Sequence, residues 1–236
     1  MRLSGPARAA RFLDRPNALR ARVIVEPEEV VLEADLPAPG PLPTLAPGAR
    51  VWLRPGSRDR PILSLVQSEE GALVALEPEV GVSLVEAGLA EGAVPELVGF
   101  DVTRRDVPFG ASRFDLEIQS SIGQRGIVDV KTVTVTANGA GLFPSGPSER
   151  EVRQVRALAR LASVDPSTAC SLVFLAQRVD ARVVVAARHL EPAIVTALHE
   201  AQEAGVRLIA RRCQVTLEEI VLGVPIEMKV IEATRF

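Results

Sequence analysis

The stretch Leu36-Pro37-Ala38-Pro39-Gly40-Pro41-Leu42-Pro43 packs four prolines into eight residues. Proline lacks an amide hydrogen and its ring fixes φ, so neither a regular helix nor a central strand runs through such a segment. β-Branched and apolar runs lie on both sides of it. Ala21-Arg22-Val23-Ile24-Val25 and Val30-Val31-Leu32-Glu33 precede it, separated by an acidic, proline-bearing turn. Arg50-Val51-Trp52-Leu53, Ile62-Leu63-Ser64-Leu65-Val66 and Ala72-Leu73-Val74-Ala75-Leu76 follow it. About five short strands cut by proline and glycine within residues 1–80 predict a small closed barrel of the OB type.

From Val80 onward the texture changes, and residues 81–236 read as a second domain. Val82, Leu84, Val85 and Leu89 have helical spacing, although the glycines among them weaken the pattern. Residues 112–119 and 127–135 are strand-like and are joined by Ser120-Ser121-Ile122-Gly123-Gln124-Arg125-Gly126, a hairpin loop. Ser148-Glu149-Arg150-Glu151 has the form of a capping box that opens a helix to about Ala162. Strands at 172–176, 182–187 and 206–210 alternate with a helix at 191–204, for which Gly205 is the stop. Strands interleaved with helices predict an α/β half.

Several function classes are poorly supplied. No apolar run approaches the ~18 residues of a membrane span, and the start lacks the apolar core of a signal peptide. Cys170 and Cys213 make neither a disulfide framework nor a zinc site, and read as buried hydrophobes of a reduced cytoplasm. His189 and His199 are the only histidines, so a His-based triad or zinc centre is poorly supplied. Of the 27 basic residues only Lys131 and Lys229 are lysines. Lysine differs from arginine in being a compact point charge with a tunable pKa, so each one calls for a reason.

Side chains alternate across a strand, so Asp129 and Lys131 share one face, about 6.6 Å apart along the backbone. Asp115 and Glu117 share a face of the preceding strand, and Asp106 lies upstream. If the hairpin pairs with matching faces, two or three carboxylates and one lysine converge. Two carboxylates about 4 Å apart at an effective dielectric of 20 repel by about 4 kcal/mol, which a single lysine does not offset for three acids. A divalent cation held by one or two carboxylates and waters removes that repulsion and activates water. The same spacing is equally that of a solvated ion pair, and Glu227-Met228-Lys229 repeats it near the end of the chain.

Asp106-Val107-Pro108-Phe109-Gly110-Ala111-Ser112-Arg113-Phe114-Asp115, then Asp129-Val130-Lys131-Thr132-Val133-Thr134, then Phe143-Pro144 and Glu149-Arg150, resemble the sugar fermentation stimulation protein A (SfsA) family. The proline-rich loop with Pro47-Gly48-Ala49-Arg50-Val51-Trp52, and Ala204-Gly205-Val206, resemble that family's N- and C-terminal signatures. The resemblance implies an OB-like domain followed by a PD-(D/E)XK, restriction-endonuclease-like domain. It also implies DNA binding and a regulatory role in sugar metabolism. By that resemblance Asp115, Asp129 and Lys131 are the catalytic core, and Asp115, Asp129 and Asp106 the ligands of Mg2+, with Mn2+ as substitute. Asp106 stands where the family usually has Glu. An acid and a histidine usual after Phe-Pro are Ser145 and Gln154 here, Arg150-Glu151 stands for Arg-Gly, and an Asn and an Arg of the N-terminal loop are Ala38 and Pro41.

The net charge of −3 gives no global attraction to phosphate, so DNA binding has to be local. Residues 1–25 hold six arginines against Asp14, but five acids between Glu26 and Asp35 are in reach to cancel them. On the Ser148 helix Arg153, Arg156 and Arg160 form a basic stripe, which with Arg113 and Arg150 makes the candidate DNA-contacting set; the same stripe is equally a solvated helix face. Aromatic residues are 3% of the chain, so a base-stacking platform is hard to build; Trp52, Phe109 and Phe143 are its candidates. The expected protein is a cytoplasmic DNA-binding protein with a nuclease-like cluster. The alternatives are a non-catalytic regulator and an interaction protein that no longer contacts nucleic acid.

Overall fold

A computed structural model describes residues 1–38, 42–56 and 60–230. Pro39, Gly40 and Pro41 of the proline run lie outside the described residues. Strands β1 (Arg8–Asn17), β2 (Arg20–Val25), β3 (Val30–Asp35), β4 (Arg50–Pro55) and β5 (Pro61–Gln67) form a ring. β1 pairs antiparallel with β2 and β4, β2 with β3 and β4 with β5, and a parallel contact at Asp35 and Ile62 joins β3 to β5. That order closes a five-strand barrel around Phe12, Val23, Val51, Leu63 and Val66. The expected strand at 72–76 is present as β6 (Leu73–Ala75) but extends β5 rather than closing the ring. The fifth member is β1, the central strand between β2 and β4, which the basic residues concealed: only Ala10 and Phe12 point fully inward from it.

The chain beyond the barrel builds a nine-stranded sheet covered by helices, an α/β arrangement. Its elements are α1 (Pro78–Ala90), β7 (Phe100–Phe109), β8 (Ser112–Ser120), β9 (Arg125–Val133), β10 (Thr136–Ala137), β11 (Ala140–Phe143), α2 (Glu149–Val164), β12 (Ala169–Ala176), β13 (Val183–Ala186), α3 (Pro192–Glu203), β14 (Arg207–Val215) and β15 (Ile220–Lys229). The strand order is β10-β11-β13-β15-β14-β12-β9-β8-β7. β7, β8 and β9 are an antiparallel meander, whereas β12 lies parallel to both β9 and β14. Parallel strands need helical crossovers, and α2 and α3 supply them. β12 is accordingly apolar and buried almost throughout.

Each face of the sheet has its own core. Ile127, Val133, Leu172 and Phe174 pack with Val155, Leu158 and Leu198 of α2 and α3. Val128, Val173 and Leu175 pack with Val85 and Leu89 of α1 on the other face, together with Trp52, Leu65 and Ala75 of the barrel sheet. Barrel and sheet therefore share buried apolar surface through α1. The glycines that weaken α1 as a helix sit at its closest approaches. A Cβ at Gly81 would lie 2.6 Å from the Gln177 amide, and one at Gly88 2.6 Å from Leu222. Among the described residues no helix is long and apolar enough to cross a membrane.

Candidate active site

The parity of β9 sets the site. Val128 faces the α1 side, whereas Ile127 and Val133 face α2, so Asp129 and Lys131 also face α2. On β8, Leu116 stands opposite Val128, which carries Asp115 level with Asp129 one step further along the hairpin. Backbone pairing between the two strands stops there. The Asp115 carboxylate takes over as acceptor, receiving the Val130 amide at 2.6 Å. Asp115, Asp129 and Lys131 thus converge at the point where β8 and β9 part.

A third acid completes the cluster. The Lys131 ammonium lies 2.9 Å from Asp129 Oδ2 and 2.8 Å from Glu151 Oε2. Glu151 had been expected to close a capping box, and only half of that box forms. Ser148 accepts the Glu151 amide at 3.3 Å, but the Ser148 amide donates to Glu191 at 3.1 Å instead of to Glu151. Glu191, which precedes α3, thereby releases the Glu151 carboxylate to the lysine. Sequence reasoning missed this role because the capping pattern offered Glu151 a complete local explanation. Glu117, the other acid on the Asp115 face, instead binds Arg125 near the mouth of the hairpin.

The electrostatics follow from burial. Asp129 and Lys131 are 3% and 6% exposed. Burial, then the charge of Asp129, push Asp115 up to about 7, against the pull of the Val130 amide and Lys131. Burial by itself disfavours the Lys131 cation, but Asp129 and Glu151 more than reverse this and raise its pKa above the ordinary lysine value. The cluster is thus a fixed ammonium flanked by acids, one of which is poised to gain or lose a proton near neutrality.

The remaining candidates are more scattered. Asp106 is exposed on the edge strand β7, across the ladder from Asp115, with φ at 56°, and its side chain makes no hydrogen bond or ion pair among the described residues. Gln154 donates to the Arg113 carbonyl, tying α2 to β8 two residues before Asp115. Ser145 lies 3.4 Å from the Thr134 hydroxyl. On α2, Arg153 is paired with Glu149 at 3.4 Å and Arg156 with Glu200 at 2.9 Å, whereas Arg150 and Arg160 are exposed without an ion pair among the described residues. In the barrel Arg8, Arg11, Arg20 and Arg22 pair with Glu28, Glu26, Asp35 and Asp14, so the N-terminal positive charge is largely cancelled. Trp52 and Phe143 are core residues, and Phe109 stacks on Phe114.

Comparison with known proteins agrees with this architecture. The family model described as sugar fermentation stimulation protein RE domain matches residues 80–219. A sugar fermentation stimulation protein homolog of Moorella thermoacetica is 33% identical over 225 residues, covering 93% of this chain and 95% of that protein. One from Clostridium perfringens is 29% identical over 232 residues, covering 97% and 99%. The structure of Pyrococcus furiosus SfsA in complex with Ca2+ matches the whole fold with a TM-score of 0.87, at 24% identity over 97% of this chain and 98% of that one. With its profile match, its full-length relatives and its barrel-plus-sheet architecture, the chain belongs to the sugar fermentation stimulation protein (SfsA) family.

Proposed function

We propose that this protein binds DNA and that its Asp115–Asp129–Lys131–Glu151 cluster takes a divalent cation for phosphodiester chemistry. The observation that carries the reading is the convergence of two carboxylates and a buried ammonium where β8 and β9 separate. We read the chain as two domains meeting near residue 80, between the end of β6 and the body of α1.

The donor set fits a hard cation. Asp115 and Asp129 offer carboxylate oxygens; burial, then repulsion from Asp129, keeps Asp115 protonated to about pH 7, and a bound cation would relieve both by favouring the ionised pair. Among the described residues no group of three or more His, Cys, Asp or Glu forms an all-protein cage. Two carboxylates with the remainder water suit Mg2+ or Mn2+. The Pyrococcus furiosus relative, solved in complex with Ca2+, is in line with a hard divalent ion. When bound, the cation would neutralise phosphate charge and make its water more acidic. Lys131 would donate to a phosphoryl oxygen or orient the attacking water. Glu151 and Asp129 hold Lys131 in place and keep it charged.

Purified protein with Mg2+ or Mn2+ is expected to nick supercoiled DNA, and Asp129→Asn to abolish nicking. Equal nicking by both would assign the activity to a contaminant. A second reading, an interaction protein that has left nucleic acid behind, is favoured by the pairing of Arg153 and Arg156 to carboxylates. DNA retardation in chelator that weakens as salt rises supports the first reading, and none at low salt supports the second.

A further inference from the structure

The barrel carries a cavity of about 400 Å3 that lies away from the carboxylate cluster. It opens where β4 hands over to β5, and Arg8, Arg54 and Arg60 line it together with Leu32 and Leu53. Among the described residues no acid lines it. Its three prolines, Pro6, Pro55 and Pro61, contribute no amide hydrogens, so the guanidinium groups dominate its donors. Gly56 lies against the start of β5, since a Cβ there would lie 2.4 Å from the Arg60 carbonyl oxygen.

Arg54 is the unusual member. It is 2% exposed, and no carboxylate pairs with it among the described residues. Its terminal nitrogens donate only to backbone carbonyls, of Gly5 at 2.5 Å, Ser4 at 3.4 Å and Leu217. Its Nε–H is buried and has no acceptor. Glu77 and Glu218 act on this cation from a distance without forming an ion pair. A buried cation with no contacting counter-ion and an unmade hydrogen bond is costly, and a bound anion relieves it. The other two arginines are only partly neutralised. Arg8 is 3.0 Å from Glu28, with both side chains half exposed, and Arg60 lies 3.6 Å from an Asp35 that also serves Arg20.

We propose that this cavity is a phosphate-binding site, with Arg54 as its buried anchor, Arg8 and Arg60 as its rim, and a nucleic-acid backbone phosphate as its ligand. Guanidinium groups match phosphate oxygens in fork geometry, and the apolar wall of Leu32, Leu53 and the prolines suits the adjoining sugar. A low-dielectric wall also strengthens each charge–charge contact over its value in open water. The inference goes beyond the cation site and uses none of its residues.

The test uses the full chain, a short duplex oligonucleotide and inorganic phosphate as separate probes. Arg54→Met risks misfolding because Arg54 also ties Ser4, Gly5 and Leu217 together, so Arg60→Gln and Arg8→Gln are the primary variants. Arg11→Gln removes the same charge from β1 outside the cavity and serves as control. Each primary variant is expected to lower duplex affinity about threefold to tenfold and to reduce the salt slope by about 0.9, with the control nearer wild type. Inorganic phosphate is expected to raise the Tm of the wild type more than that of Arg60→Gln. Phosphate protection of the wild type with no variant effect on duplex affinity keeps the site and assigns it to a small phosphate. Protection in a protein that binds no DNA at all removes the DNA reading and leaves the site standing. If Arg60→Gln and Arg8→Gln change neither duplex affinity nor phosphate protection, or change them no more than Arg11→Gln does, the proposal is wrong.

Discussion

The chain's two lysines occupy the same acid-x-lysine pattern in opposite environments. Lys131 lies 2.9 Å from Asp129, and their side chains are 7% and 4% exposed. Lys229 lies 3.2 Å from Glu227, at 45% and 66%. Both triplets sit on strands flanked on each side by other strands of one sheet. They differ in parity. On β9 the odd residues face α2, which covers them and contributes Glu151. On β15 Ile226 and Met228 face the helical core, which leaves Glu227 and Lys229 on the opposite, open side. Spacing places an acid and a lysine side by side, and the helix above the strand decides whether water screens them.

The widest gap between the triplets is expected in stability. Lys131→Met leaves Asp115, Asp129 and Glu151 without their cation and should cost about 3–5 kcal/mol. Lys229→Met should cost less than about 1 kcal/mol. Urea unfolding of the two variants in chelator measures the difference, and equal losses would break the comparison.

A second contrast lies in pH. The carboxyl of Asp115 keeps its proton in the folded chain to about pH 7, but gives it up near the ordinary value of 3.8 once unfolded. For an acid raised in this way the unfolded state loses its proton first. Stability therefore falls as pH rises from about 4 to about 7 and levels off above, by up to about 4 kcal/mol. Asp115→Asn should flatten the decline in chelator, and Mg2+ should lessen it in the wild type by favouring the ionised carboxylate. A decline of the same size in Asp115→Asn would assign it to other groups.

The smallest effect separates enclosure from mere pairing. With only two lysines, amine labelling read by mass spectrometry resolves them cleanly. Lys229 should label at least about tenfold faster than Lys131, since burial and two carboxylates withhold the free amine. Glu151→Gln should raise the Lys131 rate and leave Lys229 unchanged. No change at Lys131 would reduce Glu151 to a bystander.

Much of the fold was legible where strands and helices carry their own apolar pattern. β2, β4, β5, β12 and α2 fell where the β-branched runs and the Ser148 cap placed them. β1, β7 and β15 escaped for a shared reason. They are polar, or interrupted by proline or glycine, and each buries only a few side chains, so the ladders of their neighbours do much of the holding. β7 buries only Val107, yet it is hydrogen-bonded to β8 along its length. At the site, alternation sufficed to place Asp129 beside Lys131. It did not reveal that Glu191 would take the Ser148 amide and free Glu151, since those residues are 43 positions apart in sequence.

Local chemistry in the chain fixed which groups were neighbours along a strand, where proline forbade regular structure and where a helix began, because each depends on residues a few positions apart. The hand of each strand toward its covering helix, the closure of the barrel where β3 meets β5 and the enclosure of Lys131 between two carboxylates needed the assembled molecule. A one-residue change of register turns every side chain of a strand to the other face, so burial and charge environment are properties of the packed sheet.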